Sequence, residues 1–217
     1  KLNVTFEDVE IKELADNLKR CFQHLARGKS LDFKVEIDEN IPPAIKTDRQ
    51  RVEQILKNLL SNAFKFTPDG EVKLSIGQPN QCDFVETSQP ASSDMIAFSV
   101  IDTGIGLSPE HQKLIFEAFQ QVDTDTSKNI QGTGLGLSIS RELAKLLGGK
   151  IRLKSEKGKG STFTLVLPMN SKELKDRGTD ARNSEMQSDT EPIEQTPVQA
   201  TEAPQESPAT EPNSSTK

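Results

Sequence analysis

Residues 96–107, IAFSVIDTGIGL, decide how the rest of the chain is read. The run Met95–Ile101 is almost continuously apolar, which predicts a strand with a central place in a sheet. It runs into Asp102, and a carboxylate at the end of a buried strand is costly to desolvate unless a donor meets it. The exocyclic amine of adenine is such a donor. Gly104 and Gly106 remove side chains where a flat base would approach the backbone, and Ile105 and Leu107 supply apolar walls. Taken alone, Asp102–Leu107 reads equally well as a strand-to-helix turn with an aspartate cap, so the flanking segments have to decide.

Downstream, Ser108-Pro109-Glu110 is an N-cap followed by proline at the first helical position, opening a helix to about Phe116. Gly132, Gly134 and Gly136 then stand just before and inside the first turn of an amphipathic helix, Leu135–Leu147, stopped by Gly148-Gly149. Exposed N–H groups and the positive end of the helix dipole make such a start an anion site. The segment lacks the Gly-Lys-Ser/Thr of a Walker loop and the dinucleotide-fingerprint spacing. A glycine-rich helix start without a ligand is the alternative.

Upstream, Asp48 starts a helix in which Val52, Ile55, Leu56, Leu59, Leu60, Ala63 and Phe64 form a core-facing stripe, closed by Pro68-Asp69-Gly70. On another face Gln54, Asn58, Asn62 and Lys65 recur at spacings of four, four and three. Asparagine is a mediocre helix former, so two of them one turn apart ask for a reason. An amide oxygen suits Mg²⁺, and a lysine meets phosphate as a point charge. A polar, solvated helix face is the competing reading.

The remaining elements follow by periodicity. A short strand over 1–9 precedes a helix from Ile11 to Ala26 with Leu14, Leu18, Phe22 and Leu25 at helical spacing, ended by Gly28. Leu31–Ile37 and Glu71–Ile76 alternate as half-buried strands. Residues 77–93 form a polar loop, and Lys150–Ser155 with Ser161–Leu167 form a closing hairpin. The order does not alternate as in a doubly wound sheet. It predicts an α/β (α+β) sandwich, a mixed sheet of about five strands covered on one face by about three helices.

All ten phenylalanines fall between Phe6 and Phe163, so residues 1–169 are expected to form one domain. Residues 170–217 hold no aromatic, five of the twelve prolines, ten acidic and five basic side chains. Such a tail or linker cannot bury enough apolar area to offset its ordering entropy and is expected to be disordered. It carries −5 of the net −6, which leaves the body near neutral and without the basic stripe that nucleic-acid binding would need. The apolar runs fall far short of the roughly 20 residues that span a bilayer, and the opening residues do not read as a secretory leader. Cys21 and Cys82 are isolated thiols without metal-ligand spacing.

In combination the three motifs make one nucleotide site, and together they resemble the histidine kinase branch of the superfamily that also holds type II topoisomerases, mismatch-repair ATPases and heat-shock chaperone ATPases. DRQRVEQILKNLLSNAFKFTPDG is similar to its N box, DTGIGL to its first glycine box, LIFEAFQQVD to its Phe box and GTGLGL to its second glycine box. GGKIRLKSEKGKGSTFTLVLP is similar to its closing strands, and the resemblance covers about residues 1–168. It implies a Bergerat-type ATP-binding fold.

Carried over residue by residue, the resemblance makes Asn62 the Mg²⁺ ligand. Asn58 and Lys65 orient and bind phosphates, and Asp102 reads the adenine amine. Gly132, Thr133, Gly134, Leu135, Gly136 and Leu137 wrap the phosphates. Phe116 and Phe119 anchor a mobile lid over about 120–133. Many family lids carry arginine just after the Phe box, where this chain has Gln120 and Gln121, so Lys128 becomes the candidate for the γ-phosphate.

The family's hydrolases have a glutamate general base at the position of Asn58, and an amide cannot accept that proton. The implied activity is ATP-dependent phosphorylation of a partner histidine, with slow hydrolysis by the chain alone. His24 and His111 do not stand in the family's acceptor motif. The chain is therefore expected to begin just after the acceptor hairpin, a separate dimerisation and phosphotransfer domain, and to serve a response-regulator receiver domain. It would do so in the cytoplasm, with any membrane anchor elsewhere. A non-catalytic ATP sensor and a serine kinase of the same superfamily are the competing readings.

Overall fold

Val52, Ile55, Leu56, Leu59, Leu60, Ala63 and Phe64 are all buried, and they form the inner stripe of α2 (Arg49–Phe66). The computed structural model describes residues 4–79, 94–116 and 135–170. As the sequence predicts, Asp48 caps α2, its Oδ1 accepting from the Arg51 N–H at 3.0 Å. Its Oδ2 accepts from the Thr5 N–H at 3.0 Å, which ties the start of the chain to the same helix end.

The elements run β1 (Glu7–Glu10), α1 (Ile11–Lys29), β2 (Asp32–Ile37), β3 (Ala44–Thr47), α2, β4 (Glu71–Gly77), β5 (Met95–Asp102), α3 (Pro109–Leu114), α4 (Gly136–Leu146), β6 (Lys150–Glu156) and β7 (Gly160–Pro168). The main sheet has the order β2-β4-β5-β7-β6, with β2 and β4 parallel and every other pair antiparallel. β5 is the central strand, as its apolar run predicts.

The register explains the two faces. Val72, Asp102 and Ser161 lie side by side across β4, β5 and β7, as do Leu74, Val100 and Phe163, and Ile76, Phe98 and Leu165. This face is buried under α1, α2 and α4 and forms one core with them. Phe64 of α2 stacks on Phe22 of α1 at 5.5 Å between ring centroids and meets Phe33 of β2 edge-on at 5.2 Å. The opposite face is polar. Glu36 pairs with Lys73 at 3.3 Å there, and the hydroxyls of Ser99 and Thr164 lie 3.1 Å apart.

Four local expectations change. The first strand occupies Glu7–Glu10 rather than 1–9. It pairs with β3, a strand that the sequence reading does not contain, in a separate two-stranded sheet with Val9 opposite Ile45. α1 runs past Gly28 to Lys29, and Ser30 takes the left-handed conformation at φ 56°. The Leu31 N–H bonds back to the Ala26 carbonyl at 3.0 Å, so burial of Leu31 and Ala26 sets the helix end, and Leu25 turns outward. No helix among the described residues is long and apolar enough to cross a membrane.

Candidate nucleotide site

Three sequence motifs meet along the last two turns of α2. At Asn58 the Nδ2 donates to the Ser140 Oγ of α4 at 3.0 Å. A Cβ on Gly136 would lie 2.3 Å from the Asn58 Oδ1, so any side chain there would have to displace the Asn58 amide from Ser140. At Phe66, eight residues and about 12 Å further along the helix axis, the carbonyl accepts from the Ile105 N–H at 3.2 Å. A Cβ on Gly104 would lie 2.4 Å from that same carbonyl oxygen. The helix start thus packs at one end of the span and the DTGIGL turn at the other.

Asn62 stands midway between them, half-buried, its side chain making no hydrogen bond to any described residue. Lys65 is half-buried in the next turn, its Nζ 5.1 Å from the Phe66 ring centroid. Gln54, one turn before Asn58, is exposed and bonds to Arg51.

Asp102 is 7% exposed. Its Oδ1 accepts from the Gly104 N–H at 2.9 Å and the Ser161 N–H at 3.3 Å, while no described donor reaches Oδ2. Desolvation pushes its pKa above the usual aspartate value, and the two N–H bonds only partly oppose this. The buried carboxylate is held by one oxygen and presents the other.

Gly104 and Gly106 also meet the protein's own backbone. The absent side chain of Gly106, at φ +61°, would lie 2.0 Å from the Glu156 carbonyl oxygen, just as that of Gly104 would strike Phe66. Both glycines let the turn dock on the protein's own backbone, between α2 and the β6–β7 hairpin. Across the hairpin Gly158 donates to the Ile105 carbonyl at 2.8 Å. Ile105 and Leu107 are half-buried, as walls of a cleft would be.

α4 begins at Gly136 after Leu135, which gives no side-chain cap. The Ser138 hydroxyl turns to the Leu135 carbonyl at 2.9 Å, Leu137 packs against the core, and first-turn N–H groups have no intrahelical acceptor. Phe116 meets Phe163 of β7 edge-on at 6.5 Å, with the Arg141 guanidinium 5.8 Å from its ring centroid. This fixes the last described residue before the expected lid. Phe119, Lys128, Gly132, Thr133 and Gly134 lie outside the described residues, as does the 170–217 tail beyond Asn170.

Sequence reasoning missed Ser140, Ser155, Ser161 and Gln112, all of which bond within or around these motifs. A buried serine on an otherwise apolar helix face was the available signal for Ser140. Among the described residues no group of three His, Cys, Asp or Glu side chains could hold a metal.

A mixed sheet with a helix layer on one face defines the class, an α/β sandwich. Residues 47–171 match the family described as histidine kinase-, DNA gyrase B-, and HSP90-like ATPase, and the chain belongs to that family. It is 38% identical over 168 residues to hybrid signal transduction histidine kinase B of Dictyostelium discoideum, covering 77% of this chain and 8% of that protein. Full-length ShkA, solved in complex with AMPPNP, superposes with a TM-score of 0.64 at 30% identity, over 77% of this chain and 32% of ShkA. The nucleotide-free catalytic domain of the histidine kinase ThkA gives 0.62 at 26% identity, over 77% of this chain and 98% of that domain. The chain thus corresponds to the ATP-binding catalytic domain of histidine kinases and spans a small part of its Dictyostelium relative.

Proposed function

We propose that residues 1–169 bind ATP with Mg²⁺ and present its γ-phosphate to a histidine on a separate helical hairpin. A receiver domain then takes the phosphate, and the whole relay works in the cytoplasm. The observation that carries this reading is the convergence of the Asn58–Phe66 face, the Asp102 turn and the start of α4 on one stretch of helix. The likeness to a kinase solved with AMPPNP supports it.

In this reading the free Oδ2 of Asp102 accepts the adenine amine, between Ile105 and Leu107. The phosphates lie toward the start of α4, where the backbone N–H groups of residues 132–137 receive them, and Lys65 and Lys128 add point charges. Asn62 fits a single amide ligand to Mg²⁺. Its side chain has no partner among the described residues, and the lack of a carboxylate cluster there means that the ion arrives with phosphate oxygens and water. When bound, Mg²⁺ neutralises charge developing between the β- and γ-phosphates.

Asn58 has its amide committed to Ser140 and cannot take a proton from water. A neutral imidazole needs no such help to attack phosphorus. The domain therefore donates phosphate and hydrolyses ATP slowly by itself. Calorimetric titration of the 217-residue chain with ADP tests the pocket: binding that weakens at least ten-fold without Mg²⁺ or in Asn62→Ala supports it. No ADP binding, or fast ATP hydrolysis by the chain alone, contradicts it.

A further inference from the structure

Leu107 closes the adenine turn, and side chains rather than a strand ladder hold both of its backbone groups. Its N–H donates to the Ser155 Oγ of β6 at 2.8 Å, and its carbonyl accepts from the Gln112 Nε2 of α3 at 3.1 Å. The same Nε2 also donates to the Ser155 carbonyl at 3.0 Å, so one amide clamps the turn to the strand beside it.

The Ser155 hydroxyl extends the circuit. It lies 3.0 Å from the Gly160 carbonyl and 2.9 Å from the Ser161 Oγ. A carbonyl can only accept, so the Ser155 proton goes to Gly160, and Ser155 accepts from both the Leu107 N–H and the Ser161 hydroxyl. The Ser161 N–H in turn reaches the Asp102 Oδ1 at 3.3 Å. A continuous chain of bonds joins α3 to the carboxylate, and Gln112, Leu107 and Ser155 are all half-buried along it.

We infer that Gln112 and Ser155 are positioning residues that hold the Asp102–Leu107 turn in the shape that receives the base. This rests on the adenine role of Asp102. The pair touches neither base nor phosphate and acts through Leu107 and Ser161. Losing either leaves a backbone group of Leu107 without its partner and lets the turn populate shapes that do not bind.

The test is calorimetric ADP titration of the full chain carrying Gln112→Met, which keeps the length and removes the donor, Ser155→Ala, and the double variant. Each single variant is expected to weaken ADP about five-fold, the size of one net hydrogen bond. The double variant weakens it by less than the product of the two, because both act on one turn. Gln112→Lys, a long donor, restores affinity to within about two-fold. Unchanged ADP affinity in both single variants, with only a lower melting temperature, makes the pair structural and overturns the inference. So does an additive double variant that lysine fails to rescue. Failure of the nucleotide reading itself looks different, because the unsubstituted chain would then bind no ADP.

Discussion

Asp102→Asn should make the nucleotide-free protein more stable while weakening its hold on nucleotide. In the folded state the carboxylate is desolvated, and that burial dominates its raised pKa. An asparagine keeps its oxygen where the Gly104 and Ser161 N–H groups donate. Its NH₂ then replaces Oδ2 and points a donor at the adenine amine, itself a donor. A hydrogen bond to a charged group contributes about 1.5–3 kcal/mol, which corresponds to roughly 12- to 150-fold in affinity. The mismatch of donors places the expected loss in the upper half of that range.

The pH dependence of stability and that of affinity run in opposite directions. Because the folded pKa lies above the unfolded one, the folded protein holds the proton more tightly between the two values. Stability of the nucleotide-free domain attributable to this group therefore rises as pH falls through the folded pKa. ADP affinity falls over the same interval, since the amine needs an ionised acceptor. Both slopes begin above the ordinary aspartate value of 3.8 and vanish in the asparagine variant. Calorimetric ADP titration and thermal melts between pH 7 and 4 measure them. An Asp102→Asn protein that binds ADP within two-fold of the parent, or keeps the pH slopes, would refute the reasoning.

Gly136→Ala puts a methyl 2.3 Å from the Asn58 Oδ1 and should cost about 1–3 kcal/mol by chemical denaturation, with weaker ADP binding, as the Asn58 amide is displaced from Ser140. Gly160→Ala should be worse, combining φ +106° with a Cβ 1.9 Å from the Asp102 carbonyl oxygen, and a soluble variant with parental melting temperature would contradict the register. Lys29 Nζ donates to the Phe64 carbonyl at 2.7 Å, so Lys29→Met should cost about 1 kcal/mol of stability that Lys29→Arg recovers. Phe64→Ala empties the aromatic cluster between α1, α2 and β2 and should cost about 3–5 kcal/mol.

What could be read from the sequence was periodic or punctuated by special residues. The α2 stripe, the β5 run and the Asp48 and Ser108 caps are local patterns, and the structure repeats them. β3 has four residues directly behind Pro42-Pro43 and gains its identity only by pairing with β1, so no local pattern announces it. Ser30 carries no left-handed signal of its own. Its conformation follows from where Leu31 must go.

In the site, Asn58 and Asn62 stood out because asparagine is a mediocre helix former, and Asp102 because a carboxylate ends an apolar strand. The serines did not, because their partners are distant in sequence: Ser140 lies 82 residues from Asn58 and Ser161 lies 59 from Asp102. The glycines were visible, but a second reason for them was not. It lies in the carbonyls of Phe66 and Glu156, which only the folded chain brings against them.

The central claim is that this pocket hands phosphate to histidine rather than to water. The direct measurement mixes the chain with Mg²⁺, γ-labelled ATP and a histidine-bearing acceptor hairpin from a histidine kinase relative, then follows acid-labile label on the hairpin. Label that depends on the chain and is lost with Asn62→Ala is the predicted result. Rapid release of free phosphate with no labelled hairpin would contradict it.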